Sequence, residues 1–404
     1  MTLLFAGKTG WVRRIAIGLV GLTLAGYATR DALVQSAART RPDFALGLDG
    51  TNATALNANF RALLAAQPET PMPLDRWAAR ARAALLAAPL SAAMVRMVSA
   101  DPAQKQSQET LQLAERLSRR DALTQLALTE TAVSAGQVDV ALLHYDHALS
   151  IYPDMRTILF PLLANGLAEP AIQRGVVALA RRQRPWIDSF FAFAVQSSNV
   201  PDALAATLSA LDRGPGALGS VRAHEAALAK RLVDNGHYAL ARRVAMREAG
   251  GDAAWIDRPG FAPATWATPA QPLTWSTTED DSVEAQLTAD NQVAVSILPG
   301  RSGLAIFRVL VLAPGTYRFT AGAAAPQDIA ATGGHWSVVC LPSSGRLSPS
   351  LAEIPVNPQQ TVSAARVTVP ASCGAVRLGF AIDNVNGSSD AGVLLHDLAL
   401  SPVR

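Results

Sequence analysis

From about residue 31 to residue 250, apolar positions recur at helical spacing. Ala, Leu and Arg dominate, and runs of β-branched residues are almost absent. Breakers punctuate this stretch: Pro68 to Pro73, Pro89, Pro102, Gly136, Pro153, Gly166, Pro170, Pro185, Pro201, Gly214-Pro215-Gly216 and Gly236. Most segments between them are 10–18 residues, the length of one helix. Short helices joined by short turns predict a solenoid of helix pairs. At Gly250-Gly251 the period changes from 3.6 to two. Strands are expected at Leu273–Ser276, Val283–Leu287, Gln292–Leu298, Leu304–Leu312, Gly315–Ala321, His335–Leu341, Arg366–Val369, Ala375–Ile382 and Val393–Leu400. That many short strands with turn signals at Pro314-Gly315 and Asn386-Gly387 predict two packed antiparallel sheets.

Ahead of both lies an uncharged run, Ile15 to Ala28, preceded by Trp11, Arg13 and Arg14. A basic flank, a short apolar core and small residues at Gly26-Tyr27-Ala28 suit a signal peptide cut near Ala28. A membrane anchor needs about 20 apolar residues. The run alone is shorter, but helical spacing continues past Arg30-Asp31 through Leu33, Val34 and Ala37 without a break. An uncleaved anchor over residues 12–29 is the favoured reading; a cleaved signal and a buried soluble helix are the alternatives. Either export reading leaves the basic flank in the cytoplasm and the bulk of the chain in the periplasm. Three domains follow: a tip and anchor over 1–30, a helical repeat domain over 31–250 and a β-sandwich over 251–404.

One stretch carries a family pattern. After the turn at Gly136, the segment to Pro153 places Ala141, Tyr145 and Ala148 at spacings of four and three, then the closing proline. Small, aromatic, small and proline in this order resembles a tetratricopeptide repeat, whose small residues let two helices approach closely. Gln125 and Thr129 depart from the family pattern. Pairs at 155–182, 186–212 and 219–249 keep the length but little of the signature, which is echoed only by Gly236, Ala241 and Ala245. The last third, with its entry Leu312-Ala313-Pro314-Gly315-Thr316-Tyr317, is similar in layout to jelly-roll carbohydrate-binding modules. As a whole the chain resembles membrane-anchored periplasmic proteins that accompany bacterial exopolysaccharide synthesis. The resemblance implies an inner-membrane scaffold whose helices hold an envelope protein. The rival is a glycan-binding protein whose repeats are a spacer.

Composition narrows the classes. Half of the 404 residues are hydrophobic and 17% are charged, which excludes wholesale disorder. The formal charge of +3 is too small for a nucleic-acid binder. It is unevenly spread: +3 over residues 1–29, +4 over 30–250 and −4 over 251–404. There is no GxSxG, HExxH, P-loop or GxGxxG motif, so no catalytic residue and no cofactor is assigned.

The remaining candidates are few. Cys340 and Cys373 are the only cysteines; an even pair in an exported domain reads as a disulfide, with two buried thiols as the alternative. His144 and His147 share a helix face, but no third metal ligand is evident and no metal is assigned. Arg174, Arg181, Arg182 and Arg184 form a basic cluster, either a solvated face or a surface for an acidic partner. Arg242, Arg243 and Arg247 form another. Trp275 and Trp336 are candidate glycan contacts, weighed against a core role; Trp255 and Trp266 fall in the linker. Asp383, Asn384, Asn386 and Asp390 crowd one loop, where calcium is the alternative to an ordinary polar tip.

Overall fold

A computed structural model of the chain describes residues 6–66, 72–211, 220–248, 258–266, 270–342, 350–359 and 362–403. Two compact units form, Met1–Met155 and Arg156–Arg404. The expected boundary at 250–251 and Trp255 lie outside the described residues.

The first unit is helical: α1 (Ala6–Ala37), α2 (Pro42–Leu48), α3 (Ala53–Ala65), α4 (Leu74–Ala87), α5 (Ala92–Ser99), α6 (Ser107–Leu117), α7 (Ala122–Ser134) and α8 (Val138–Ile151). Within α1, Ile15–Ala37 is 23 residues long and apolar enough to cross a membrane by length and composition. Ile17, Leu19, Val20, Leu22 and Leu24 are all more than half exposed. The end of this helix then enters the fold: Val34, and Ala38 just beyond the last turn, are buried with Ala45 of α2 and Ala55 of α3. Arg30 Nε adds a hydrogen bond to the Leu48 carbonyl at 3.1 Å.

Further along, Phe60 and Trp77 meet edge to face at 5.4 Å in a core with Met94 and Met97. Arg96 of α5 is 5% exposed, yet satisfied. It pairs with Asp121 at 2.8 Å, donates to Asn57 Oδ1 at 3.0 Å and stands 5.4 Å from the Phe60 ring. Asp121 in turn caps α7 by accepting from Thr124 N.

The second unit opens with α9 (Arg156–Gly166), α10 (Pro170–Arg181), α11 (Ile187–Ser197), α12 (Pro201–Leu211), α13 (Val221–Asp234) and α14 (Tyr238–Glu248). Helices two apart in sequence touch here (α9 with α11, α10 with α12, α11 with α13, α12 with α14), the contact pattern of stacked hairpins. Phe160, Trp186, Phe190 and Phe191 fill their core.

Two hairpins, α7–α8 and α13–α14, end their first helix identically. Gly136 N bonds the Val133 carbonyl and Gln137 N the Ala132 carbonyl; Gly236 N bonds Val233 and His237 N bonds Leu232. Both glycines have positive φ, 69° and 79°. These are paired Schellman caps, and left-handed backbone at the cap is why glycine stands there.

Among the described residues, eleven strands complete the unit: β1 (Ser276–Thr277), β2 (Val283–Leu287), β3 (Val293–Ile297), β4 (Ser302–Leu310), β5 (Gly315–Ala324), β6 (Ala330–Ala331), β7 (Gly334–Leu341), β8 (Ser350–Val356), β9 (Val362–Val369), β10 (Ala375–Asp383) and β11 (Ala391–Pro402). One sheet runs β1-β4-β10-β7-β8 and the other β2-β3-β11-β5-β9, with β6 beside β11. All pairings are antiparallel except β6 with β11. Alternating side chains point between the sheets. Val293, Val295, Ile297, Phe319, Val393 and Leu395 come from one sheet, and Trp336, Val338, Leu378, Phe380 and Ile382 from the other. The predicted antiparallel sandwich is therefore present, with β6 and β8 added, while the strand expected at Leu273–Ser276 stands instead at Ser276–Thr277.

Cys340 of β7 and Cys373, in the turn before β10, form a disulfide with Cα atoms 5.4 Å apart. The alternative of two free thiols falls.

Candidate functional site

The tryptophans proposed as glycan contacts are core residues. Trp275 is 1% exposed and Trp336 is fully buried. Trp336 sits at the centre of an aromatic cluster, with Trp275, Phe261, Phe319 and Phe380 at 5.2–6.5 Å between ring centroids. The Trp275 indole donates to the Pro259 carbonyl at 3.2 Å. Inward strand parity at Trp336 and burial at Trp275 place these rings where no sugar reaches them. Trp266, a bridge partner of Trp275, also packs on this core.

The outward parity of the β2-to-β9 sheet tells a different story. On β5, Tyr317, Phe319 and Ala321 point inward, so Thr316, Arg318 and Thr320 point out. On β9, Arg366 and Thr368 point out. The register sets Arg318 directly opposite Arg366, Thr316 opposite Thr368, and Ser401 of β11 on the other side of Arg318. Both arginines are exposed. Neither takes part in an ion pair with any described residue, although the sandwich region of the sequence is net acidic. Like charges directly opposite on neighbouring strands oppose sheet formation. This cross-strand pair was not singled out in the sequence. Tyr317-Arg318-Phe319 signals the outward position, but the register that joins Arg318 to Arg366 has no local signature.

Nearby on the same face, the imidazole of His396 lies over Gly322. A Cβ there would come within 2.2 Å of the ring. His396 Nδ1 is 2.9 Å from Asp397 Oδ2. In the loop after β10, Asn384 is an organiser: its Nδ2 donates to the carbonyls of Leu298 and Ser389, and it is buried.

Among the helices, Ala141 and Ala148 are buried as close-packing positions, and burial pushes the Tyr145 phenol up to about 12. Pro153 is exposed and opens the short 3-10 turn that follows α8. Of the basic cluster, Arg174, Arg181 and Arg182 are exposed on or just beyond α10, and Arg184 is half-buried. Arg181 Nη2 also donates to the Ala210 carbonyl at 3.2 Å.

The histidine pair acquires the third ligand that the sequence did not reveal. Glu115 of α6 joins His144 and His147 of α8, one donor atom of each lying within 4.8 Å of the others. His144 Nδ1 is 3.6 Å from Glu115 Oε1 and 2.8 Å from Gln125 Oε1. Burial holds the His144 imidazole below its ordinary pKa against the opposing pull of Glu115, and His147 reinforces the lowering. Glu115 and His144 face a cleft of 360 Å³ between α6 and the α7–α8 hairpin, lined among others by Gln108, Gln112, Thr131 and Val140.

No protein-family model and no curated protein matches the sequence. Solved structures with similar portions include the enzymatically active domain of bacteriophage CBA120 tailspike protein 4. It is 18% identical with TM-score 0.25, over 32% of this chain and 19% of that one. A CBM4 module is 14% identical with TM-score 0.23, over 30% of this chain and 88% of the module. The CBM22-1 xylan-binding domain from Paenibacillus barcinonensis Xyn10C is 13% identical with TM-score 0.24, over 32% and 86%. The chain thus spans about a fifth of the tailspike domain's length. Scores this low leave function to be read from the chain's own residues.

Proposed function

We propose that the chain is a non-enzymatic, membrane-tethered binding protein of the periplasm that supports envelope polysaccharide synthesis or export. In this reading α1 is an uncleaved inner-membrane anchor. The sandwich holds an anionic polysaccharide on the Arg318–Arg366 face, and the tetratricopeptide-like hairpins dock a protein partner.

The observation that carries it is the pair of facing, exposed arginines, without an ion-pair partner among the described residues, on a hydroxyl-bearing sheet surface. A guanidinium is a planar fork that grips a carboxylate with two parallel hydrogen bonds. Two such forks one strand spacing apart, about 5 Å, with Thr316, Thr320, Thr368 and Ser401 beside them, match a chain carrying acidic groups and hydroxyls together. An anionic ligand also removes the repulsion that the register imposes. With Trp275 and Trp336 in the core, stacking on those rings gives no basis for binding a neutral glycan.

Titration calorimetry of the detergent-solubilised full chain tests this. A soluble polyuronate is expected to bind, more weakly as salt rises, while a neutral xylan fails to bind. Arg318→Glu with Arg366→Glu should weaken polyuronate binding at least tenfold without changing the melting temperature by more than a few degrees. Equal binding by the variant refutes the assignment to this face. Charge reversal at Arg181 and Arg182 addresses the helical arm: loss of a co-purifying envelope protein supports it, and unchanged co-purification makes that cluster a solvated face.

A further inference from the structure

We propose that Glu115, His144 and His147 form a binding site for a divalent transition-metal ion of the zinc class, clamping α6 to the α7–α8 hairpin. The proposal stands independently of the glycan-binding reading, because it rests on different residues in the other compact unit.

The donor set comes first. Two imidazoles and one carboxylate are the protein ligands that borderline divalent ions such as zinc accept, usually with a fourth position left for water or another ligand. Oxygen-seeking calcium and magnesium favour carboxylates and carbonyls instead.

Geometry agrees. Two ligands about 2.0–2.2 Å from a tetrahedral zinc lie about 3.4 Å from each other. His144 Nδ1 and Glu115 Oε1 are 3.6 Å apart, and the third donor lies within 4.8 Å of both. His144 and His147 stand three residues apart on α8, so one helical face presents both rings, whose centroids are 6.3 Å apart. Closing three bonds around one ion brings the third donor in from at most 4.8 Å to about 3.4 Å.

A second observation points to a missing partner. His147 Nδ1 is buried and makes no hydrogen bond. A buried imidazole nitrogen without a partner is costly, and most such groups in folded proteins are satisfied. A metal bond satisfies it. Gln125 Oε1 lies 2.8 Å from His144 Nδ1, so ligation through that nitrogen exchanges this hydrogen bond for the metal bond. The 360 Å³ cleft beside Glu115 and His144 gives an ion a route in.

Competing sites are few. Neither cysteine is free, and no other cluster of three His, Cys, Asp or Glu ligand atoms of this kind occurs among the described residues.

The probe is zinc alone, titrated calorimetrically into the full chain after chelator treatment, with cobalt as a spectroscopic substitute. One equivalent per chain is expected, and bound cobalt should show the intense visible bands of a four-coordinate N/O site. His147→Ala and Glu115→Gln should each weaken zinc binding at least 100-fold, since changes even in the groups around ligands commonly cost about 10–100-fold. His237→Ala, away from the cluster, should bind like the parent. Glu115→Gln keeps size and hydrogen bonding, so its circular dichroism should match the parent and lost binding then reports lost ligation. Absence of stoichiometric zinc binding by the parent, or parental affinity in both ligand variants, overturns the proposal.

Discussion

Reducing the Cys340–Cys373 bond should destabilise the sandwich by an amount that its loop length sets. The bridge closes a loop of 33 residues. In the chain-entropy model the lost constraint is about 12.5 cal/mol/K, or about 3.7 kcal/mol at 25 °C. Little in the native state opposes this figure. Cys340 is held by the β7–β10 register opposite Val376, and Cys373 N already bonds the Pro370 carbonyl, so both ends stay placed when the bond is broken. At about 2–4 °C per kcal/mol for a unit of this size, the melting temperature should fall by about 7–15 °C. The assay is a thermal melt of the oxidised and reduced full chain followed by near-ultraviolet circular dichroism. That signal is weighted towards the sandwich by its cluster of Trp275, Trp336, Phe319 and Phe380. Because both sulfurs are buried, reduction should need mild denaturant, with the reductant kept during refolding. A fall of less than about 2 °C would refute the reasoning, because the loop would then be restrained in the unfolded chain by something other than the bridge.

Three further outcomes are expected. Gly136→Val should cost about 1–2 kcal/mol in urea unfolding, because a β-branched residue is forced into left-handed backbone; Gly236→Val should match it if the two caps are equivalent. Arg96→Met should cost about 3–5 kcal/mol, since Asp121 loses its charged partner in a largely buried setting. Arg96→Lys should not rescue it, because a single ammonium cannot reach Asp121, Asn57 and the Phe60 face together. Hydrogen bonding from Ser220 and then His224 holds the Asp188 carboxyl below its ordinary value of 3.8. A lowered folded-state value means this contribution is fully present above 3.8 and is lost as pH falls through the folded value. Asp188→Asn should therefore flatten the acid limb of the stability profile below about pH 4, measured by tryptophan fluorescence.

Periodicity made most of the architecture legible. The change from a period of 3.6 to a period of two separates the helices, which run to Glu248, from the strands, which begin at Ser276. Strand β2 is found at Val283–Leu287, where its alternation predicts it. Strand β8 escaped because Ser350–Val356 contains Pro355 and sits in a Pro- and Ser-rich connection; a proline is tolerated there because β8 is an edge strand. Strand β5 runs on to Ala324 because β11 pairs with it, not because Gly322-Ala323-Ala324 favours extended backbone.

The sites were less legible, for a physical reason. Alternation says that two sets of side chains face opposite ways, but not which face is interior. Alternation therefore left Trp336 open to either a glycan or the core, and gave Arg318 nothing to set it apart. Likewise Glu115 reaches His144 only through the packing of α6 beside the α7–α8 hairpin, and no spacing along the chain records that approach.

Helix α1 has a mechanical consequence. A flexible glycine-rich linker of n residues would let a tethered domain wander about 5–6 Å × √n from its anchor. Here the helix passes from its exposed apolar stretch into the buried contacts of Val34 and Ala38 with no linker between them. If α1 is seated in a bilayer, as proposed, the first helices are fixed to it as to a post. Their height and tilt are set by the lipid, and they turn only as the anchor turns. Encounters with other membrane-bound molecules then become a search over a plane at constant elevation, in which a partner must present its matching surface at that same height.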